Sequence, residues 1–336
     1  MDKMKFVIGI DISMDVFHVC FKEKNMDNSV KIKGSKTFKN NYKGFQELIE
    51  WAKTRTKFDG NESYVMEATG CYYEDLAYFL FSKSKNVHVI LANKIKHFAK
   101  SLNVKTKTDK VDATIIAQYG IERIMDSWKP MSKDFKKLRD LCRELLSIKK
   151  EKSRAMSQLH AMIHAHEKEQ SVLKIKTEQI DFYKKQIDII ESEIKKSVNS
   201  DFELKNRIEN ITKIKGVKLI TVITVLCETN GFELFKNIRQ VVSYAGLDVA
   251  FKESGKFKGQ TKISKKGNAR IRQCLYMPAL SATNHNEKIM ELYERIIERN
   301  PMIKMKGVVA GMRKLLILIF VLWKKNEAYN PQYVWN

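Results

Sequence analysis

The tightest constraint on the fold lies in the middle of the chain. Leu138, Leu141, Leu145, Ile148, Ala155, Leu159 and Met162 recur at alternating steps of three and four, with Lys152 the one polar interruption. After a polar break around His166 to Ser171, a second series follows at Ile180, Tyr183, Ile187, Ile190 and Ile194. An apolar repeat of about 3.5 residues belongs to helices whose seam is covered along its length by another helix. Residues 129–200 therefore read as two long helices, either folded back as an antiparallel hairpin or paired with another subunit. We expect a coiled coil that assembles a homo-oligomer, as a dimer or a tetramer.

The seam divides the chain into three. Residues 1–128 alternate β-branched runs with helical patterns: FVIGID, VFHVCFK, a KTF stretch, the helical YKGFQELIEWAK, SYVMEA, the helical YYEDLAYFLF, and VHVILAN. Three strands followed by helix, strand, helix and strand predict an α/β layered domain on a mixed sheet. Residues 201–336 read as mainly α. They open with ITKIKGVKLITVITVLCE, a helix, a turn at Gly216 and an apolar helix. That pattern suits a helix-hairpin-helix whose turn amides grip a phosphate, and equally a tight turn between packed helices.

Charge narrows the partner. The 336 residues carry a net +23, a single-sign excess suited to a polyanion. Lysine supplies 50 of the 62 cations, and an ammonium is a point charge that suits phosphates better than base edges. Residues 211–336 hold 22 Lys and Arg against 9 Asp and Glu, so the polyanion is expected there first. The five cysteines are widely spaced and form no CxxC pair, which argues against a disulfide frame or zinc knuckle and fits a reducing cytoplasm. Neither the N-terminal apolar run nor Leu315 to Trp323 is long enough for a signal peptide or a bilayer span. No membrane partner is expected.

Acidic residues stand where burial makes them costly. Asp11 ends the strand FVIGID and Glu67 ends SYVMEATG, where Ala68, Thr69 and Gly70 leave room for a phosphate. In KTKTDKVDATIIAQYG, Asp109 and Asp112 share one face at the start of a helix. Asp109 as an N-cap and Asp112 as a first-turn acid would account for that pair without chemistry. Yet the acids lie among Lys94, Lys96, Lys100, Lys105, Lys107 and Lys110. Two Mg²⁺ ions per site, with Mn²⁺ as a substitute, would reconcile acids and phosphates by clamping both oxygens of an in-line displacement.

The order GIDIS, VMEATG, TDKVDA and a coiled coil resembles the DEDD transposases of the insertion-sequence 110 family. The likeness continues through VVSYAGLDVAFKESGKFKG, KISKKGNARIRQCLYMPAL and GVVAGMRKLLILIFVLW. It implies a RuvC-like, ribonuclease H-like first domain whose DEDD set is Asp11, Glu67, Asp109 and Asp112. It also implies a serine nucleophile in the ESG step, here Ser254, and a structured guide RNA that selects donor and target double-stranded DNA. By itself Ser254 before a glycine is a turn residue, and Ser264 in KISKKG is its rival. Around both lie Lys252, Lys256, Lys258, Lys262, Lys265, Lys266, Arg270 and Arg272 against the single acid Glu253. A serine hydroxyl needs a base or metal to act. With Lys105 and Lys107, this stretch from Lys256 onward is the candidate nucleic-acid surface.

Three functions stay open at this stage. A bacterial, nucleoid-associated transposase or recombinase leads, since a covalent serine–DNA link allows rejoining without a nucleotide-binding loop of the GxxxxGK[ST] type. A RuvC-like structure-selective nuclease and a non-catalytic nucleic-acid scaffold are the alternatives. His160, His164 and His166 read as a solvated helix face, and Tyr244 and Tyr276 as core.

Overall fold

The computed structural model describes residues 5–56, 62–106, 108–233, 235–251, 253–255, 257–259 and 261–332. It forms two compact units, Met1–Pro130 and Met131–Asn336.

The first unit is the expected mixed α/β layer. Strands β1 (Lys5–Ile12), β2 (Val16–Lys24) and β3 (Val30–Lys39) form an antiparallel meander, and β4 (Glu62–Glu67) and β5 (Asn86–Ile90) add parallel to β1, giving the order β3-β2-β1-β4-β5. Alternation of side chains sorts the two faces. Phe6, Ile8, Ile10 and Ile12 pack with Phe45 and Leu48 of α1 (Tyr42–Lys53) and with Leu76 and Leu80 of α2 (Glu74–Ser82). Val7 and Val65 face the other way. They meet Ile95 and Phe98 of α3 (Ala92–Ser101) and Ile115 and Ile116 of α4 (Asp109–Glu122).

Helix α4 lies close against the sheet because small residues meet along the contact, Cys20 of β2 packing with Ala113 and Ala117. A Cβ built on Gly9 would stand 2.2 Å from the Ala117 amide nitrogen, and one on Gly120 would stand 2.5 Å from Val7 Cγ1. The helix ends fix its direction. Lys5 Nζ donates to the Gly120 and Ile121 carbonyls at the C-terminus, where a cation complements the helix dipole. Burial holds that ammonium's pKa below its ordinary value. Thr108 caps the N-terminus, accepting from the Val111 amide.

The second unit is helical, as expected, with a small strand insertion. Helices α5 (Lys133–Ile163) and α6 (Gln170–Asn199) run antiparallel as a hairpin, with Lys149 to Glu191 at 2.7 Å and Lys176 to Gln158 at 3.1 Å. Leu138, Leu145, Ala155, Ile180, Ile187, Ile190 and Ile194 of the seam are buried within this single chain. At its root the hairpin joins one core with α7 (Phe202–Thr212), α8 (Leu219–Glu228), α9 (Ile238–Ala245), α10 (Ala269–His285) and α12 (Met305–Lys325). Helix α11 (Glu287–Glu298) adds Ile289 to it. Between α7 and α8, Gly216 has φ +94° and a Cβ there would stand 2.9 Å from the Pro278 carbonyl. Left-handed backbone and close packing on α10 thus account for that glycine without a phosphate. Among the described residues, no helix is long and apolar enough to cross a membrane.

Candidate active site

The four acids come from three elements that meet at one end of the first sheet. The parallel register pairs Ile10 with Met66, which puts Asp11 and Glu67 side by side one residue further on. Adjacent strands lie about 4.8 Å apart. Asp11 shares the face of Val7 and Gly9, and Glu67 that of Val65, so both project toward the α4 side. Since the C-terminus of α4 sits at Lys5, its N-terminus lies toward Asp11 and carries Asp109 and Asp112 in the first turn. Both are there by placement and not as caps, because Thr108 already fills the N-cap position. Glu67 accepts from the Thr69 hydroxyl at 2.9 Å.

A fifth side chain joins this end. His18 is the cross-strand partner of Asp11 in the antiparallel β1–β2 register, and so shares its face. Its Nε2 stands 3.3 Å from Asp109 Oδ2, and its Nδ1 stands 2.8 Å from Thr37 Oγ1 on β3. The local pattern of VFHVCFK already sets His18 on this face. There Phe17, Val19 and Phe21 enter the apolar core, leaving His18, Cys20 and Lys22 on the face that carries Asp11.

The donor chemistry fits a hard divalent cation, because carboxylate oxygens are what Mg²⁺ and Mn²⁺ take. Their strand-end and helix-start positions share one face and one end. The side chains stand apart, however: among the described residues no three His, Cys, Asp or Glu groups are gathered closely enough to hold an ion.

In the second unit, Ser254 lies on a thin β arm. Strand β6 (Val249–Ala250) pairs with β9 (Lys262–Ile263) at the arm's base, and β7 (Glu253–Ser254) pairs with β8 (Phe257–Lys258) at its tip. Ser254 is exposed and precedes Gly255 at φ +55°. Its rival Ser264 is committed elsewhere. Ser264 Oγ donates to Asp248 Oδ1 at 2.6 Å and accepts from the Lys266 amide, clamping the base of the arm. Lys262, Lys265, Lys266 and Arg270 are exposed, and so is Lys105 in the first unit. Arg272 is partly spent on its own chain, donating to the Ala245 and Gly267 carbonyls at 2.8 and 3.3 Å. Lys107, Lys252 and Lys256 lie outside the described residues.

The loop after the arm is tied to a buried acid that carried no sequence signal. Glu228 is 4% exposed at its side chain and receives Arg143 through two bonds, at 2.7 and 3.0 Å, and Asn268 Nδ2 at 2.7 Å. Burial alone would raise the Glu228 carboxyl, but the hydrogen bonds from Arg143 and Asn268 outweigh it and hold the pKa below the usual carboxylate range. Asn268 also caps α10 through its carbonyl oxygen. Tyr244 is core, as expected, its hydroxyl donating to the Glu228 carbonyl at 2.9 Å, whereas Tyr276, also expected in the core, is exposed on α10.

Comparison with known proteins adds to this geometry. A DEDD transposase family matches residues 8–166, and the family described as Transposase IS116/IS110/IS902 matches residues 208–294. The pilin gene-inverting proteins of Moraxella bovis and Moraxella lacunata are each 27% identical over 329 residues, spanning 98% of this chain and 98% of theirs. A Thermus thermophilus RuvC structure aligns with 37% of this chain and 99% of its own, at 12% identity and a TM-score of 0.28. That score is too low to carry an argument, and the fold rests on the strand order above.

Proposed function

The chain belongs to the insertion-sequence 110 (IS110) family of transposases, and from that membership and the geometry above we propose that it cuts and rejoins double-stranded DNA through a serine nucleophile and a carboxylate-held metal site. One observation carries the reading: Asp11, Glu67, Asp109 and Asp112 approach a single end and face of the sheet from two strands and a helix start.

In this reading those four acids would hold Mg²⁺, or Mn²⁺ in its place, when the ion is bound. A divalent cation bound there polarises a phosphate oxygen and offsets the charge that develops in phosphoryl transfer. Ser254 supplies the nucleophile. Its Oγ attacks phosphorus as the strand's P–O bond breaks, leaving a protein–DNA phosphodiester and a free hydroxyl end that can later attack in return. The exposure of Ser254, beside the engagement of Ser264 with Asp248, supports this assignment. Lys262, Lys265, Lys266 and Arg270 hold the DNA backbone electrostatically. Sequence choice then falls to base pairing with a structured RNA, which suits a chain so poor in arginine. A homo-oligomer completes the proposal.

The deciding test is a denaturing gel of labelled DNA incubated with the protein in Mg²⁺. The parent should form a covalent adduct, Ser254→Ala should lose it, and Asp11→Asn, Glu67→Gln and Asp112→Asn should lose cleavage while still binding DNA. Metal-dependent cleavage indifferent to Ser254→Ala would replace recombination with plain nuclease action.

A further inference from the structure

We propose that His18, held in turn by Thr37, is a positioning residue for the divalent cation: it fixes the Asp109 carboxylate at the end of β1. This deepens the metal reading above and rests on it.

Three elements converge on the imidazole. Thr37 on β3 reaches Nδ1 at 2.8 Å, Asp109 on α4 meets Nε2 at 3.3 Å, and the ring sits on β2 directly across from Asp11. Nε2 faces Asp109 Oδ2 at ion-pair distance, 3.3 Å. Nδ1 lies 2.8 Å from the Thr37 hydroxyl, and that contact sets the tilt of the ring. Asp109 needs such a hold. Its side chain is 67% exposed, it lies in the first turn of its helix, and Thr108 rather than Asp109 makes the cap bond there. A carboxylate so placed samples several rotamers unless a partner restrains it. His18 is better fixed, with a side chain 19% exposed on the central sheet. The contact engages one carboxylate oxygen, Oδ2, and leaves Oδ1 for a cation. Partners of this kind, which touch the ligand and not the ion, typically change metal affinity by about 10- to 100-fold when removed.

The test is Mn²⁺ binding to the full-length protein at one fixed pH, followed by the loss of the free-ion electron paramagnetic resonance signal, with circular dichroism to confirm folding. Glutamine carries its amide nitrogen about where Nε2 lies, and asparagine carries its own near Nδ1. His18→Asn should therefore weaken Mn²⁺ binding about 10- to 100-fold, His18→Gln should restore most of it, and Thr37→Val should weaken it by a few fold. If Asp11→Asn abolishes binding while His18→Asn leaves it unchanged, the metal site stands and the role of His18 is overturned. Equal loss in His18→Asn and His18→Gln would make the imidazole itself indispensable and overturn positioning. A parent that binds no more Mn²⁺ than Asp11→Asn overturns the metal reading from which the inference starts.

Discussion

Gly9→Ala puts the smallest possible side chain between the sheet and α4. The new Cβ would lie 2.2 Å from the Ala117 nitrogen, 2.4 Å from the Ala113 oxygen and 2.6 Å from the Ala117 Cα, where ordinary contact begins near 3.4 Å. All three neighbours are helix backbone, so no side chain can rotate away. The helix must retreat by about 1 Å, an overpacking that costs about 1 to 3 kcal/mol. A domain stable by about 5 to 15 kcal/mol survives that loss mostly folded. Asp109 and Asp112 ride on the displaced helix, while Asp11 and Glu67 stay with the sheet. A misplacement of about 1 Å among catalytic groups can cost on the order of 100-fold in rate. DNA cleavage in Mg²⁺ should therefore fall by one to two orders of magnitude, with the melting temperature lowered by several degrees and DNA affinity retained. Gly34→Ala is the control, since its Cβ would meet Arg55 Nε at 3.0 Å and Trp51 Cζ2 at 3.2 Å, on the α1 side of the sheet and not the α4 side, and it should cleave normally. Gly9→Ala cleaving at the parent rate, with an unchanged melting temperature, would refute the close-approach argument.

Other expectations concern the second unit. The depressed Glu228 pKa means that its ionised form favours the folded state: that stability is complete above the unfolded carboxyl's pKa of about 4.3 and is lost as pH falls through the lower folded value. Glu228→Gln should cost on the order of 2 to 3 kcal/mol at pH 7, less than a fully buried pair because Arg143 is 36% exposed. It should also flatten the acid limb of urea unfolding measured between pH 3 and 7; a parallel acid limb in parent and variant would contradict the pairing. Leu145→Asp should lower the melting temperature far more than Leu159→Asp, because Leu145 is 1% exposed in the core shared with α8 and Leu159 is half-buried. Equal shifts would deny that the hairpin root belongs to that core. Replacing Lys265 and Lys266 together with alanine should weaken DNA binding regardless of sequence and reduce the slope of log affinity against log salt by about 2; an unchanged slope would clear them of phosphate contact.

Local pattern determined much of this molecule. The helical YKGFQELIEWAK is α1 from end to end, VFHVCFK is a strand by its alternation, and FVIGID is a strand as a short apolar run buried on both faces. The strand-end placement of Asp11 and Glu67 was legible as well, since a carboxylate at the end of an apolar strand advertises its own cost. Periodicity, however, acts between residues a few positions apart, and it is silent on what a face meets. The heptad seam was equally compatible with a partner subunit, and only the return of α6 along α5 showed it buried in its own chain. Asp109 had every local qualification for an N-cap, but Thr108 one residue earlier took that bond and left Asp109 to His18, 91 positions away. Glu228 closes the apolar ITKIKGVKLITVITVLCE with no local sign of a partner, and Arg143 of α5 and Asn268 at the cap of α10 supply it. In each case the deciding interaction is between groups far apart in the chain: the approach of Asp109 to His18 depends on sheet register and on how closely Gly9, Ala113 and Ala117 let α4 sit, and the other two on how the helices of the second unit pack.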